Sequence, residues 1–170
     1  MSDPGQRWRA WAFVAAQAVL LVALFTWPTG PTWPVPDPVR LVGSVATVAG
    51  LVAMVASAVA LRRGLTASPL PNGAARLRTT GLYALVRHPI YAGLLTFAAG
   101  RVLTYGSLPR ALVFLGLVSL LVAKTTWEEH RLVERFPDYP AYAARVPQYI
   151  PRLPRLPHQR GSRTGGGHRA

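Results

Sequence analysis

The chain contains no cysteine, a single lysine, two methionines and only six acidic residues among 170. Without cysteine there is no disulfide framework, no thiolate metal site and no lipidation of the chain itself. No metal is expected. Charge is also missing from long stretches, and the run 41–61 has none at all. A soluble domain scatters apolar residues at helix or strand period, whereas continuous apolar runs near 20 residues mark membrane spans.

Half the residues are apolar, and they fall into four blocks separated by loops rich in Arg, Pro and Gly. The first, 11–27, has tryptophan at both ends, as an interfacial belt does. The second is 41–61, and the third, 89–106, is interrupted by Arg101. The fourth, 111–124, is short for a span and closes at Lys124, which predicts tilt or continuation as a helix into the polar region. The first block has a basic flank, but Phe25-Thr26-Trp27-Pro28 offers no small-x-small cleavage site, so an uncleaved anchor is expected. At this length the chain reads as one domain, 1–157, with a disordered tail, 158–170.

The net charge of +13 invites a nucleic-acid partner, but its distribution argues against one. Arg7 and Arg9 precede the first block. Arg62, Arg63, Arg76, Arg78 and Arg87 fill the loop after the second, and the tail is arginine-rich. The other two connections carry little beyond Arg40 and Arg110. This alternation is the positive-inside pattern. It predicts a multi-pass protein of the inner (cell) membrane with both termini cytoplasmic, and basic loops beside anionic lipid need no nucleic acid to explain them.

Between the blocks, 28–38 is too proline-rich for helix or central strand. The loop 62–80, with Pro69, Pro71 and an Asn72-Gly73 turn, reads as irregular. The third and fourth blocks are joined by 107–110 alone, which forces an antiparallel hairpin. Arg87-His88 and the stretch 124–131 therefore come to the same side of the membrane. After the fourth block, 125–136 reads as a charged helix stopped by Pro137. Asp138 then has the form of a cap for a short helix over 141–145, and 147–157 is extended.

Two clusters carry chemical interest. Arg87-His88-Pro89 stands at the head of an apolar helix, where Pro89 suits the first helical position. The free backbone N–H groups beside Arg87 form a natural seat for a carboxylate. The structural alternative is an arginine snorkelling to lipid phosphate and a histidine that only caps the helix. Glu128-Glu129 stands just beyond the fourth block, near the unfavourable end of a helix dipole if the helix stops there. Its structural alternative is an interfacial helix neutralised by Arg131 and Arg135. Tyr139, Tyr142 and Tyr149 fit interface anchors or the walls of a pocket.

Together these stretches resemble the isoprenylcysteine carboxyl methyltransferase family and its phospholipid methyltransferase relatives. Gly81-x-Tyr83-x-x-x-Arg87-His88-Pro89-x-Tyr91-x-Gly93 looks like that family's central motif. Glu128-Glu129-His130-Arg131-Leu132, then Phe136, Tyr139, Tyr142, Val146-Pro147 and Ile150-Pro151, looks like its C-terminal motif. The likeness covers about residues 75–153. It departs from the family at Pro137-Asp138, where a glycine-containing turn is usual, and at His130.

The resemblance implies an all-α integral membrane protein of about four spans, with a cytoplasmic cofactor-binding segment at 125–157. It implies S-adenosylmethionine-dependent methylation of a carboxylate or amine on a lipophilic acceptor entering from the membrane lipids. Carried over, His88, Pro89, Tyr91, Gly93, Glu128, Glu129 and Tyr142 would bind the cofactor, while Arg87 and Arg131 would orient the acceptor. Methyl transfer to a carboxylate needs positioning in line rather than a general base. Two other readings compete. One is a membrane reductase of related fold using NADPH. The other is a small non-enzymatic membrane scaffold, which needs no small-molecule site.

Overall fold

A computed structural model describes residues 4–27, 30–61 and 77–151. Most of the 62–80 loop, its Asn72-Gly73 turn and the 158–170 tail lie outside the described residues. Among those described the protein is all-α: α1 (Pro4–Thr26), α2 (Asp37–Leu61), α3 (Leu82–Leu85), α4 (Pro89–Tyr105), α5 (Leu108–Arg135) and α6 (Tyr139–Arg145).

Among the described residues three helices are long and apolar enough to cross a membrane: Gly5–Thr26, Asp37–Leu61 and Leu108–Arg135. Their outward faces are apolar, with Val19, Val22, Val45, Val48, Val52 and Leu112 all more than half exposed. A surface of that kind is solvated by lipid rather than water. At about 1.5 Å per residue α4 is roughly 25 Å long, short of the ~30 Å hydrocarbon thickness.

The helix ends differ from the expected blocks for local reasons. The first helix begins at Pro4 rather than residue 11, because Trp8 and Arg9 continue a helical run that a charge-based boundary had cut. The second begins at Asp37, an acid in the first turn ahead of Pro38, so Arg40 lies inside it. The fifth runs unbroken from Leu108 to Arg135, so the fourth block continues as a helix through Lys124 into the polar region, as its shortness predicts. It ends at Phe136, whose extended backbone suits the residue before a proline. Asp138 stands at the N-cap of α6 but makes no side-chain cap bond, and α6 starts at Tyr139 rather than residue 141.

Glycine sets the tightest crossing. A Cβ on Gly93 would lie 2.8 Å from both Gly50 O and Met54 N, and one on Gly43 would lie 2.9 Å from Gly100 O. Gly43 faces Gly100 and Gly50 faces Gly93, so α2 and α4 run antiparallel with their backbones nearly touching. The seam repeats every seven residues on α2 and ends at Ser57, which is fully buried. Small residues at a helix contact let dispersion and Cα–H contacts replace the hydrophobic drive that lipid removes.

On its other side α4 packs on α5. Leu94 and Ala98 meet Leu117 and Leu121, and Leu24 of α1 completes the buried cluster. Only Gly106 and Ser107 join α4 to α5, a tighter turn than 107–110. Gly106 is left-handed (φ 55°) and a side chain there would strike Trp33 O. That turn is pinned by the incoming connector, since Trp33 N donates to Gly106 O at 2.8 Å and Leu108 N to Pro31 O at 3.0 Å. The hairpin brings the head of α4 beside the tail of α5, as the short connection requires. Replacing Gly93 with valine should lower the unfolding free energy by about 1–3 kcal/mol through overpacking. An unchanged melting temperature in detergent would show that the helices do not approach this closely.

Candidate functional site

The site lies where the end of α5, the head of α4 and the segment after α6 converge. Its centre is Glu129. Arg87 Nε donates to Glu129 Oε1 at 2.9 Å and Arg87 Nη2 to Oε2 at 3.1 Å, the forked geometry that guanidinium and carboxylate favour. His88 Nε2 also meets Oε1 at 2.9 Å, and Gln148 Nε2 donates to Oε2 at 3.1 Å. The Arg87 and Glu129 side chains are only 12% and 17% exposed.

Arg87 is held beyond that pair. Its Nη1 donates to Ala143 O at 2.8 Å and Val146 O at 2.6 Å. The second of these is the end of α6, where carbonyls lack intrahelical partners and attract a cation. Arg87 N and His88 N donate to Pro147 O and Gln148 O. One arginine thus ties three separate stretches of chain together. Burial works against its charge, but the hydrogen bonds and charge of Glu129 outweigh that and raise its pKa further.

A second layer surrounds the first. Tyr91 OH donates to Glu128 Oε2 at 3.1 Å, and its ring stacks on His88 at 5.7 Å. Lys124, nearly buried, points its Nζ at the Tyr91 ring from 5.0 Å and donates to Gln17 Oε1 at 2.8 Å. A polar path therefore runs from α1 through Lys124 and Tyr91 to Glu128. Tyr142 OH donates to Tyr83 O at 2.5 Å, and Tyr83 OH reaches Ser57 O at 3.4 Å. Burial pushes the Tyr83 phenol up to about 12 and raises Tyr142 and Tyr149 as well. These phenols stay protonated and serve as donors.

The sequence-derived residues fall into groups. Arg87, His88 and Glu129 meet directly, and Tyr91 with Glu128 joins them through the His88 ring. His88 stands at the N-cap of α4 but makes no side-chain cap bond; its ring turns to Glu129 instead. Pro89 is buried at the start of the helix. Gly93 faces α2 rather than the polar cluster, and Tyr142 clamps α6 to Tyr83. Arg131 is not brought in. Its guanidinium pairs with Glu134 at 3.4 Å and lies over Trp127, which packs on Phe13 of α1. Glu128 is met by Tyr91 rather than by Arg131.

Lys124 and Gln148 were not picked out from sequence. For Lys124 a signal existed: the chain's one lysine sits four residues before Glu128, on the same helix face. Nothing local distinguishes Gln148, because its role comes from chain that returns from elsewhere. Among the described residues no group of three or more His, Asp or Glu is placed to hold a metal ion.

A family model for NnrU protein matches residues 5–156. Two partial relatives are similar over shorter stretches. Protein-S-isoprenylcysteine O-methyltransferase of Schizosaccharomyces pombe is 40% identical over 80 residues, covering 46% of this chain and 34% of the relative. The nickel-cobalt-cadmium resistance protein NccN of Alcaligenes xylosoxydans xylosoxydans is 33% identical over 81 residues, covering 45% and 37%. The chain spans about a third of the length of these curated relatives.

The methyltransferase expectation is corrected by these findings. Membership follows the model that covers nearly the whole chain, and that is not the isoprenylcysteine carboxyl methyltransferase or phospholipid methyltransferase family. The likeness to the methyltransferase is partial, and a shared segment establishes neither an S-adenosylmethionine cofactor nor methyl transfer.

Proposed function

The chain belongs to the NnrU family, and we propose that it acts without catalysis, as a small multi-pass membrane scaffold. One observation carries this reading. The acid that organises the site is consumed by the chain's own groups: Arg87 twice, His88 and Gln148. A carboxylate accepting four hydrogen bonds from its own protein has little left for a ligand. Arg87 is likewise committed four times within the fold.

What the cluster does is hold the segment after α6 against the floor of the bundle. That segment carries Ile150, 79% exposed, an apolar side chain offered outward. A membrane-associated protein with an apolar pocket is the partner this surface suits. One relative is named for resistance to nickel, cobalt and cadmium; an accessory role at the membrane agrees with such a name.

In this reading α4 is a fourth, short span, carried through the bilayer by its packing between α2 and α5. Both termini face the cytoplasm of an inner-membrane protein, because Arg7, Arg9, Arg76, Arg78 and the arginine-rich tail follow the positive-inside alternation along the sequence. A fluorescent protein fused to the C-terminus should light up in bacterial cells. Phosphatase activity from the same fusion point would reverse the orientation.

The scaffold reading is tested with the protein in lipid nanodiscs. Neither NADPH nor S-adenosylhomocysteine should move its unfolding. A ligand bound at a hundred times its Kd adds about 2.7 kcal/mol, so a saturable rise in melting temperature with either would contradict the proposal.

A further inference from the structure

At the opposite end of the bundle from Glu129, two arginines share one aromatic ring. The Arg101 guanidinium carbon lies 4.5 Å from the centroid of Tyr105 and that of Arg110 lies 4.9 Å from the same ring. Arg101 also leans on Phe25 at 5.0 Å. Arg110 is 7% exposed and its Nε reaches Leu24 O at 3.4 Å. Neither forms an ion pair within the described residues. Asp37, the acid at that end, is exposed and pairs with neither.

Three polar atoms at this corner are buried and lack hydrogen-bond partners: Arg101 Nε, Arg110 Nη1 and Ser107 Oγ. Ser107 is fully buried at the N-cap of α5, and its hydroxyl does not cap the helix. Two uncompensated guanidinium charges, an idle hydroxyl and the positive end of a 28-residue helix all call for an anion. Each unpaired buried donor costs free energy that an acceptor would recover. The orphan atoms are closed to water, so an acceptor reaches them through a swing of Arg101. That movement is open to it, because its guanidinium is held only by the Phe25 and Tyr105 rings and the Tyr105 hydroxyl.

Beside this corner an apolar groove of about 510 Å³ opens between Leu20 and Trp27 on one side and Leu108, Pro109 and Leu112 of α5 on the other. Pro109 is the neighbour of Arg110, and Leu24, whose carbonyl Arg110 contacts, lies between Leu20 and Trp27 in sequence. Cationic donors next to an acyl-sized apolar groove match one ligand class.

We propose that this corner binds the phosphate of an anionic phospholipid, with an acyl chain of the same molecule in the groove. Arg101, Arg110 and Ser107 supply the donors. The surface rings of Trp27 and Tyr105, each about half exposed, mark the level of the headgroups.

The test is thermal unfolding of detergent-purified protein titrated with phosphatidylglycerol, phosphatidylcholine or inorganic phosphate. Phosphatidylglycerol should raise the melting temperature saturably by about 5 °C, and the other two should not. Arg101→Gln should weaken phosphatidylglycerol binding about tenfold, the worth of one charged hydrogen bond. Leu112→Trp fills the groove from an exposed position and leaves both charges in place; it should weaken binding of the long-chain lipid as well.

An equal response to phosphatidylcholine would mean general lipid solvation, and an equal response to inorganic phosphate would mean a free-anion site. Either result overturns the proposal. So does a folded Arg101→Gln protein that titrates like the unaltered one.

Discussion

Glu129 is the residue on which the polar end of the molecule depends. Its carboxylate is largely withdrawn from water on the polar stretch of α5, where burial alone would disfavour a negative charge. It stays there because Arg87, His88 and Gln148 bring donors from the head of α4 and from the C-terminal segment. Removing one partner of a buried pair leaves the other charge uncompensated, which typically costs about 3–5 kcal/mol. The same bonds that satisfy Glu129 decide where the chain after α6 lies.

That closure requires α4 and α5 to arrive at the same level, which is a matter of packing rather than charge. The two-residue turn at Gly106-Ser107 sets their relative register. The glycine seam then fixes α4 against α2, and Leu94, Ala98, Leu117 and Leu121 fix it against α5. Valine and leucine elsewhere on α1 and α2 face outward without partners, as lipid-facing residues do. The design divides the work: small residues and leucines align the helices, and one carboxylate closes their polar end.

Much of this arrangement follows from local sequence. Apolar block length gave the helices, and the brevity of the 107–110 connection predicted that His88 and Glu129 would be neighbours. Apolar blocks stop short of their helices where charge intervenes, since Arg9 and Arg40 lie inside α1 and α2, whereas continuation past Lys124 follows from the shortness of the fourth block. Hydropathy marks the lipid-facing stretch, whereas a helix continues for as long as its backbone bonds and packing persist. Gly93 joins the polar motif only through the family resemblance, and it lies on the face of α4 turned toward α2. Its partner Gly50 was visible only as a spacing of seven from Gly43. Arg131 is two residues from Glu129 and so on a different face of α5, over Trp127 and away from that carboxylate. The family assignment could not be read from motifs at all, because the segment that resembles a methyltransferase is shared by proteins with different roles.

The central claim is that Arg87 and Glu129 form one energetic unit closing the polar end of the bundle. A double-mutant cycle of Arg87→Gln and Glu129→Gln, read as unfolding free energy in detergent, tests it directly. The account predicts a coupling of about 2 kcal/mol, the two changes together costing much less than their sum. Additivity to within about 0.5 kcal/mol would mean that the pair does not hold this end of the protein together.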